Sequence, residues 1–229
     1  MITRLILIAA LVSAISWGRA NSILGQEELT PLTTAPWTEN QALWHRAWAG
    51  PVPAFAADMA VLKIFNIYDQ ATAMPAENRA PWWSALKYQL HLGQDMDPYF
   101  RDIYRLTEGL LAYEAQDMQA AINILSLSEP YLNSSDPLLV GAFIASQELK
   151  NNELAIQLAI KAADKPDANP LALGFAGSLI KGQSGCGAAL AFLNSRLGSV
   201  PEKYQQGIIR RIRKLQQEER CRGEIQDLL

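Results

Sequence analysis

The chain has 229 residues, and 49% of them are hydrophobic, so it is long and apolar enough to bury a sizeable core in one large or two small domains. Its formal net charge is −3. Because the chain has no overall basic field, this charge argues against nucleic acid as its main partner.

A short apolar run opens the chain. Residues 5–17 read LILIAALVSAISW, after the basic Arg4 and before the small residues Gly18 and Ala20. The run is shorter than the roughly 20 residues that span a bilayer, and the pattern resembles a signal peptide cleaved after Ala20. The alternative is an uncleaved membrane anchor. By either route residues 1–20 predict export to the periplasmic side of the inner membrane, anchored or released.

The next segment, residues 21–53, is rich in proline, threonine and tryptophan, and its prolines break any long helix. Thr38 and Gln41 have the spacing of a capping box, which predicts a short helix through Trp48. We expect an arm that lays three tryptophans on the domain: Trp37, Trp44 and Trp48.

From residue 54 onward the sequence predicts helices, and no stretch alternates with the period of two that a sheet requires. Residues 54–101 predict a divergent helix pair. Its first helix ends before Pro75, and its second begins near Pro81 and ends at Gly93. The fold class is therefore all-α.

A regular repeat follows this pair. The dipeptides Ala121–Ile122, Ala155–Ile156 and Ala189–Leu190 recur at a constant interval, since their residue numbers rise by 34 at each step. This 34-residue period resembles the tetratricopeptide repeat, which implies three units of two antiparallel helices over residues 102–203, stacked as a right-handed α-solenoid. The layout also resembles that of bacterial membrane-anchored repeat proteins.

The resemblance explains an alanine-rich helical face in the second unit. Close crossing of helices requires small side chains, and Ala155 and Ala162 occupy the positions where the family has them. Gly109 and Gly177 are expected at similar crossings in the first and third units. Phe143 departs from the family pattern, because a small residue is usual at its position.

The last segment, residues 204–229, predicts a capping helix and a tail. An apolar stripe runs along one side of the helix, and basic residues lie mostly off it, as the end of a solenoid requires. The stripe consists of Ile208, Ile209, Ile212 and Leu215.

The two cysteines, Cys186 and Cys221, are a candidate disulfide in an exported protein. An antiparallel hairpin would place Cys186 opposite about residue 213, so Cys221 overshoots it by roughly 12 Å. The bond therefore requires that the chain bends back near Gly223 or that the capping helix ends early.

No motif for catalysis is present, so the sequence predicts no enzyme, no catalytic residue, no cofactor and no metal site. Neither of the two histidines, His45 and His91, belongs to a recognisable ligand motif. His91 is expected near the end of a helix, where the helix dipole favours a cation.

The resemblance implies a binding groove along the first helix of each unit. Apolar side chains and two glutamates at these positions would suit an apolar or amphipathic, basic segment. The alternative is that the protein's own arm covers the groove. The implied groove residues are Leu106, Leu110, Tyr113, Glu114, Val140, Ile144, Gln147, Glu148, Ser178 and Lys181.

These features predict a non-enzymatic scaffold that binds other proteins of the bacterial cell envelope, in the assembly of a larger complex. The expected contacts include the membrane if the N-terminal segment stays attached, and no nucleic acid or small-molecule substrate. The first alternative is a permanent structural subunit of an envelope complex, and the second is an enzyme.

Overall fold

The computed structural model describes residues 44, 47, 52–168, 170–218 and 221. All of them belong to one compact unit, Pro36–Leu229. Within these residues the chain is helical and has no strand, which confirms the all-α class. None of the described helices is both long enough and apolar enough to cross a membrane. The predictions for residues 1–20, Trp37, His45 and Trp48 lie outside the described residues.

The helices follow one another with short connections. The bounds of the helices are α1 Pro53–Ala73, α2 Ala80–Met96, α3 Arg101–Leu106, which continues as a π-helix over Thr107–Glu114, α4 Met118–Ser126, α5 Asp136–Gln147, α6 Asn152–Ala163, α7 Pro170–Leu197 and α8 Glu202–Gln217. The long helix α7 is interrupted at Gly185, whose φ of 85° is non-helical.

The second helix runs further than its sequence predicts. α2 ends at Met96, and Gly93 lies buried inside it. A Cβ atom at Gly93 would come within 2.5 Å of Ile103 Cδ1 and 3.6 Å of Ala60 Cβ. Gly93 therefore permits a close approach of α1 and α3 to α2, and the prediction that it ends the helix is wrong.

Each helix packs mainly against its neighbours in the sequence. α1 packs on α2, α4 on the π-helix and α5, α6 on α5 and α7, and α8 on α7. One core cluster extends from α1 to the first half of α7, and a second joins α7 to α8. No helix buries its apolar face without the next one, so the core is continuous along the chain.

The connections between paired helices repeat with the same period as the sequence. Gln116 and Lys150, which are one period apart in sequence, both have positive φ, 57° and 53°. The residue after each caps the next helix: Asp117 accepts from Ala120 N and Asn151 from Leu154 N, both at 3.1 Å. The same backbone conformation therefore occurs at these two turns, which are 34 residues apart.

Ion pairs join α6 to the end of α4, and α7 to the end of α6. Lys161 Nζ on α6 lies 2.6 Å from Glu129 Oε2 after α4, and Arg196 Nη2 on α7 lies 2.8 Å from Asp164 Oδ1 after α6. Lys165 Nζ also donates to the Leu132 carbonyl at 2.7 Å. Because these groups are partly exposed, each pair orients the helix ends more than it stabilises them.

Small residues lie at the helix crossings, as expected. Ala155, Ala162 and Ala189 are fully buried, and a Cβ atom at Gly177 would lie 3.2 Å from Leu193 Cδ2. The expectation for Gly109 is wrong, since it is exposed and a Cβ atom there would meet nothing within 4 Å.

Gly109 lies two residues from the fully buried Thr107 and Leu111, so it faces the opposite side of the helix, towards solvent. A π-helix has more residues per turn than an α-helix, so side chains within Thr107–Glu114 are rotated relative to the α-helical register. A close contact that the sequence did not indicate occurs in the next unit, where a Cβ atom at Gly141 would lie 3.5 Å from Leu158 Cδ1.

The capping helix and the disulfide are both present. Ile208, Ile212 and Leu215 of α8 are buried against α7, whereas Ile209 is half-buried. Cys186 and Cys221 are bonded, with 5.2 Å between their Cα atoms. α8 ends at Gln217, and Glu218 is extended, so the early end of the helix removes the overshoot.

The alanine crossings can be tested on a single helix. Ala189→Leu enlarges the side chain at a fully buried position of α7, and we expect it to lower the free energy of unfolding by about 1–3 kcal/mol through overpacking. Ala191→Leu, at an exposed position of the same helix, should change it by less than about 0.5 kcal/mol. Urea denaturation measures both, and equal losses would contradict a tight crossing at Ala189.

The disulfide closes a loop between cysteines that are 35 residues apart. Replacing both cysteines with alanine should lower the free energy of unfolding by about 2–4 kcal/mol, because the unfolded chain gains conformational freedom. Adding a reductant should bring the wild-type protein to the same stability and leave the double variant unchanged. A wild-type protein that is insensitive to full reduction would show that the bond stabilises nothing.

Candidate partner-binding surface

Four of the implied groove residues are exposed and lie together at the ends of their helices. Tyr113 and Glu114 are at the end of the π-helix, and Gln147 and Glu148 are at the end of α5. The groove prediction for these four is compatible with their exposure.

Four others contribute to the core. Leu106, Leu110 and Val140 are half-buried and pack against the first core cluster. Ile144 is fully buried, so its prediction as a groove residue is wrong. The reason is a rotation of about 100° per residue in an α-helix: the exposed side chain on this turn of α5 is the adjacent Phe143, which is 47% exposed.

The remaining two, Ser178 and Lys181, are engaged by the capping helix and the residue that follows it. Arg211 of α8 donates to the Ser178 hydroxyl, and Lys181 forms an ion pair with Glu218. The hydrogen bond from Lys181, together with the charges of Lys181 and Lys214, lowers the pKa of Glu218. Ser178 and Lys181 therefore connect α7 to the end of the chain.

An acidic environment surrounds the exposed tyrosine. Partial burial, and then the nearby carboxylates of Glu148 and Glu108, raise the pKa of the Tyr113 hydroxyl. Glu108 belongs to the same π-helix and Glu148 to the end of α5. Tyr113 therefore presents a neutral phenol, a hydrogen-bond donor, between two carboxylates from different helices.

Two phenylalanines pack on each other where the second unit meets the third. Phe143 of α5 and Phe175 of α7 pack with 6.3 Å between ring centroids and an interplanar angle of 39°. We call Tyr113, Phe143, Phe175 and Glu148 the aromatic surface. The two phenylalanines are not among the implied groove residues, although the departure of Phe143 from the small residue usual at its position was a signal.

The aromatic surface has the chemistry of a protein-binding site. Aromatic rings offer large, rigid contact area with few rotatable bonds. The carboxylates of Glu108, Glu114 and Glu148 make the surroundings of Tyr113 acidic. Such a surface favours a segment that combines apolar side chains with Lys or Arg.

A cleft lies beside this surface, between α3 and the beginning of α5, with a volume of about 420 Å³ including its open mouth. Its charged side chains are of both signs, so it has no strong preference for an anion or a cation. The lining residues are Arg101, Tyr104, Arg105, Glu108, Leu125, Leu132, Ser134, Asp136, Pro137 and Val140.

His91 differs from its sequence-based expectation. It lies within α2, where burial, and then the charge of Lys87, lower its pKa from 6.5 to about 4. It is therefore neutral at physiological pH, and the expectation of a cation at a helix end is wrong. Among the described residues, no three His, Cys, Asp or Glu side chains are grouped so that they could hold a metal.

No protein-family model, no curated protein and no solved structure matches this chain. The likeness to tetratricopeptide proteins therefore rests on the chain's own 34-residue period and on the geometry of its turns.

The low pKa of His91 predicts a pH-dependent stability. Between pH 6.5 and about pH 4 the unfolded chain binds a proton at His91 and the folded protein does not, so acidification favours unfolding. From pH 7.5 to pH 5 this one group should cost about 1–2 kcal/mol. His91→Gln should lose that part of the pH dependence in urea denaturation, and an unchanged pH dependence would refute the assignment.

Proposed function

We propose that this chain is a non-enzymatic scaffold of the bacterial cell envelope that binds a segment of a partner protein on the aromatic surface. We place it on the periplasmic side of the inner membrane, where residues 1–20 would deliver it. An oxidising compartment fits the disulfide between Cys186 and Cys221.

For the architecture, we propose an α-solenoid of tetratricopeptide-like helix pairs. Three observations support this proposal: the two turns that lie one sequence period apart, the packing of each helix on its sequence neighbours, and the polar capping helix at the C-terminal end. In such a stack the first helices of successive units lie side by side and offer one continuous surface.

The observation that carries the functional proposal is a set of exposed and half-buried aromatic side chains on successive units, of which Phe143 and Phe175 pack on each other. Tyr113 and Phe143 are 46% and 47% exposed and belong to adjacent units, and Phe143 packs on Phe175 of the next. Exposed aromatic side chains that contact one another across elements are typical of interaction sites. An enzyme would require a cluster of titratable groups. His91 is neutral and half-buried, so it gives no evidence for an active site.

The second candidate is a permanent subunit of an envelope complex. The exposed apolar side chains favour it as much as they favour a transient scaffold, because a permanent interface is also apolar. The two separate in behaviour: a subunit copurifies in fixed stoichiometry through high salt, whereas a scaffold with an acidic site releases a basic partner as ionic strength rises.

The test is the capture of partners from envelope fractions after cross-linking, with the full chain as bait. Phe143→Ala removes the central ring, and Glu148→Lys reverses a charge next to Tyr113. We expect each to reduce the recovery of a specific partner at least about tenfold, the effect of losing an interface anchor. Far-ultraviolet circular dichroism checks that the variants fold.

Leu127→Ala is the matched control. Leu127 is exposed to a similar extent, 40%, and lies just after α4, outside the aromatic surface. It should leave partner recovery unchanged. If both surface variants retained every wild-type partner, the proposed site would be wrong.

A further inference from the structure

The outer face of α1 is apolar and exposed. Five side chains on one side of this helix and its first flanking residue are between 42% and 63% exposed. They are Val52, Phe55, Met59, Leu62 and Phe65. We call them the α1 stripe.

The opposite face of α1 is apolar as well, because it packs on α2 through residues such as Ala60, Ile64 and Ile67. A helix that is apolar on both sides is normally buried on both. The α1 stripe exposes roughly 500 Å² of apolar side chain, which is near the upper end of what monomeric proteins leave uncovered.

The two ends of the described fold differ in this respect. The outer face of α8 carries charged residues such as Arg210, Arg213 and Lys214, all exposed. Such a face closes a helical stack against water. The α1 stripe does not, so α1 has the character of an internal helix whose outer face has no neighbour among the described residues.

The spacing of the stripe indicates that its partner is another helix. Val52, Phe55, Met59 and Leu62 alternate steps of three and four residues, which is the heptad pattern of two helices that pack along a common seam. Asn66 continues the pattern, and a single asparagine at such a seam position favours one register in a pair of like helices. The next seam position is the exposed, charged Asp69, so the apolar seam ends at Asn66.

We propose that the α1 stripe binds the α1 stripe of a second copy of this chain, in a parallel pair about a twofold axis. In the heptad register of the stripe, Asp58 and Lys63 flank the seam on opposite sides. The two positions are five residues apart, the separation at which flanking residues of parallel helices face each other. Asp58 of one chain therefore faces Lys63 of the partner subunit, twice per dimer.

The area agrees with a small dimer. Two stripes of roughly 500 Å² bury about 1,000 Å² in total, the lower end of specific interfaces.

Other occupants fit less well. A helix that lies on an anionic membrane is rich in Lys and Arg on its polar side, whereas Asp58 and Asp69 outnumber Lys63 on the exposed side of α1. Of the preceding segment, the described residues Trp44 and Ala47 are themselves exposed, and Trp44 is 67% exposed.

The first test is the mass of the full chain in a nonionic detergent, by light scattering after size exclusion over a range of concentrations. We expect a dimer. Leu62→Asp should raise its dissociation constant at least about 30-fold, as for an interface anchor, whereas Leu127→Asp, at an exposed site after α4, should not change it. A monomeric wild-type protein, or an unchanged Leu62→Asp dimer, would overturn the proposal.

The second test is charge exchange. Asp58→Lys and Lys63→Asp should each weaken the dimer about tenfold, since each creates two like-charge contacts. The double variant Asp58→Lys/Lys63→Asp should restore wild-type affinity. Absence of rescue, with both single variants weakened, would rule out the parallel register.

The third test needs no detergent. In a parallel pair the two copies of residue 66 face each other, so Asn66→Cys should give a covalent dimer under mild oxidation in expressing cells. Ala54→Cys, exposed on α1 but off the seam, should not. Equal cross-linking, or none at Asn66→Cys, would contradict the arrangement. Since Phe143→Ala lies elsewhere, it should leave the dimer intact, which separates this proposal from the proposed function.

Discussion

Close packing of helices through small side chains is the constraint on which the rest of the structure depends. Ala121, Ala155 and Ala189 are fully buried and recur every 34 residues, and Ala162 is a further fully buried alanine on α6. They contribute little apolar area individually, but they let neighbouring helices approach closely enough to share one core. Each helix is stabilised mainly by the next, which is why the contacts follow the order of the sequence.

The π-helix is the main irregularity in this regular packing, and it lies where the candidate surface begins. Over Thr107–Glu114 it shifts the side chains from their α-helical directions. In this segment Tyr113 lies near Glu108 of its own helix and Glu148 at the end of α5. Wide helical turns of this kind are rare and frequently occur at functional sites, which agrees with the position of the aromatic surface.

The first and last of the described helices differ in how they cover the apolar core. At the C-terminal end a polar helix covers the core, and the bond between Cys186 and Cys221 holds the chain that follows it. At α1 the core is covered on one side only, and the other side remains apolar. Among the described residues, the outer face of α1 is therefore the apolar surface that a further helix could cover.

The sequence by itself determined the all-α class, the 34-residue period, the alanine crossings and the apolar stripe of α8, because these depend on local pattern and on side-chain size. It did not determine which side chain of a turn faces water. Ile144 is buried and Phe143 exposed, although they are adjacent, because a difference of about 100° depends on the helix against which α5 packs. The partners of Ser178 and Lys181 are likewise far along the chain: Arg211 of α8 and Glu218 after it. The pKa of His91 and the pairing of Cys221 with Cys186 also depend on tertiary packing, since burial and the end of α8 are set by neighbouring helices.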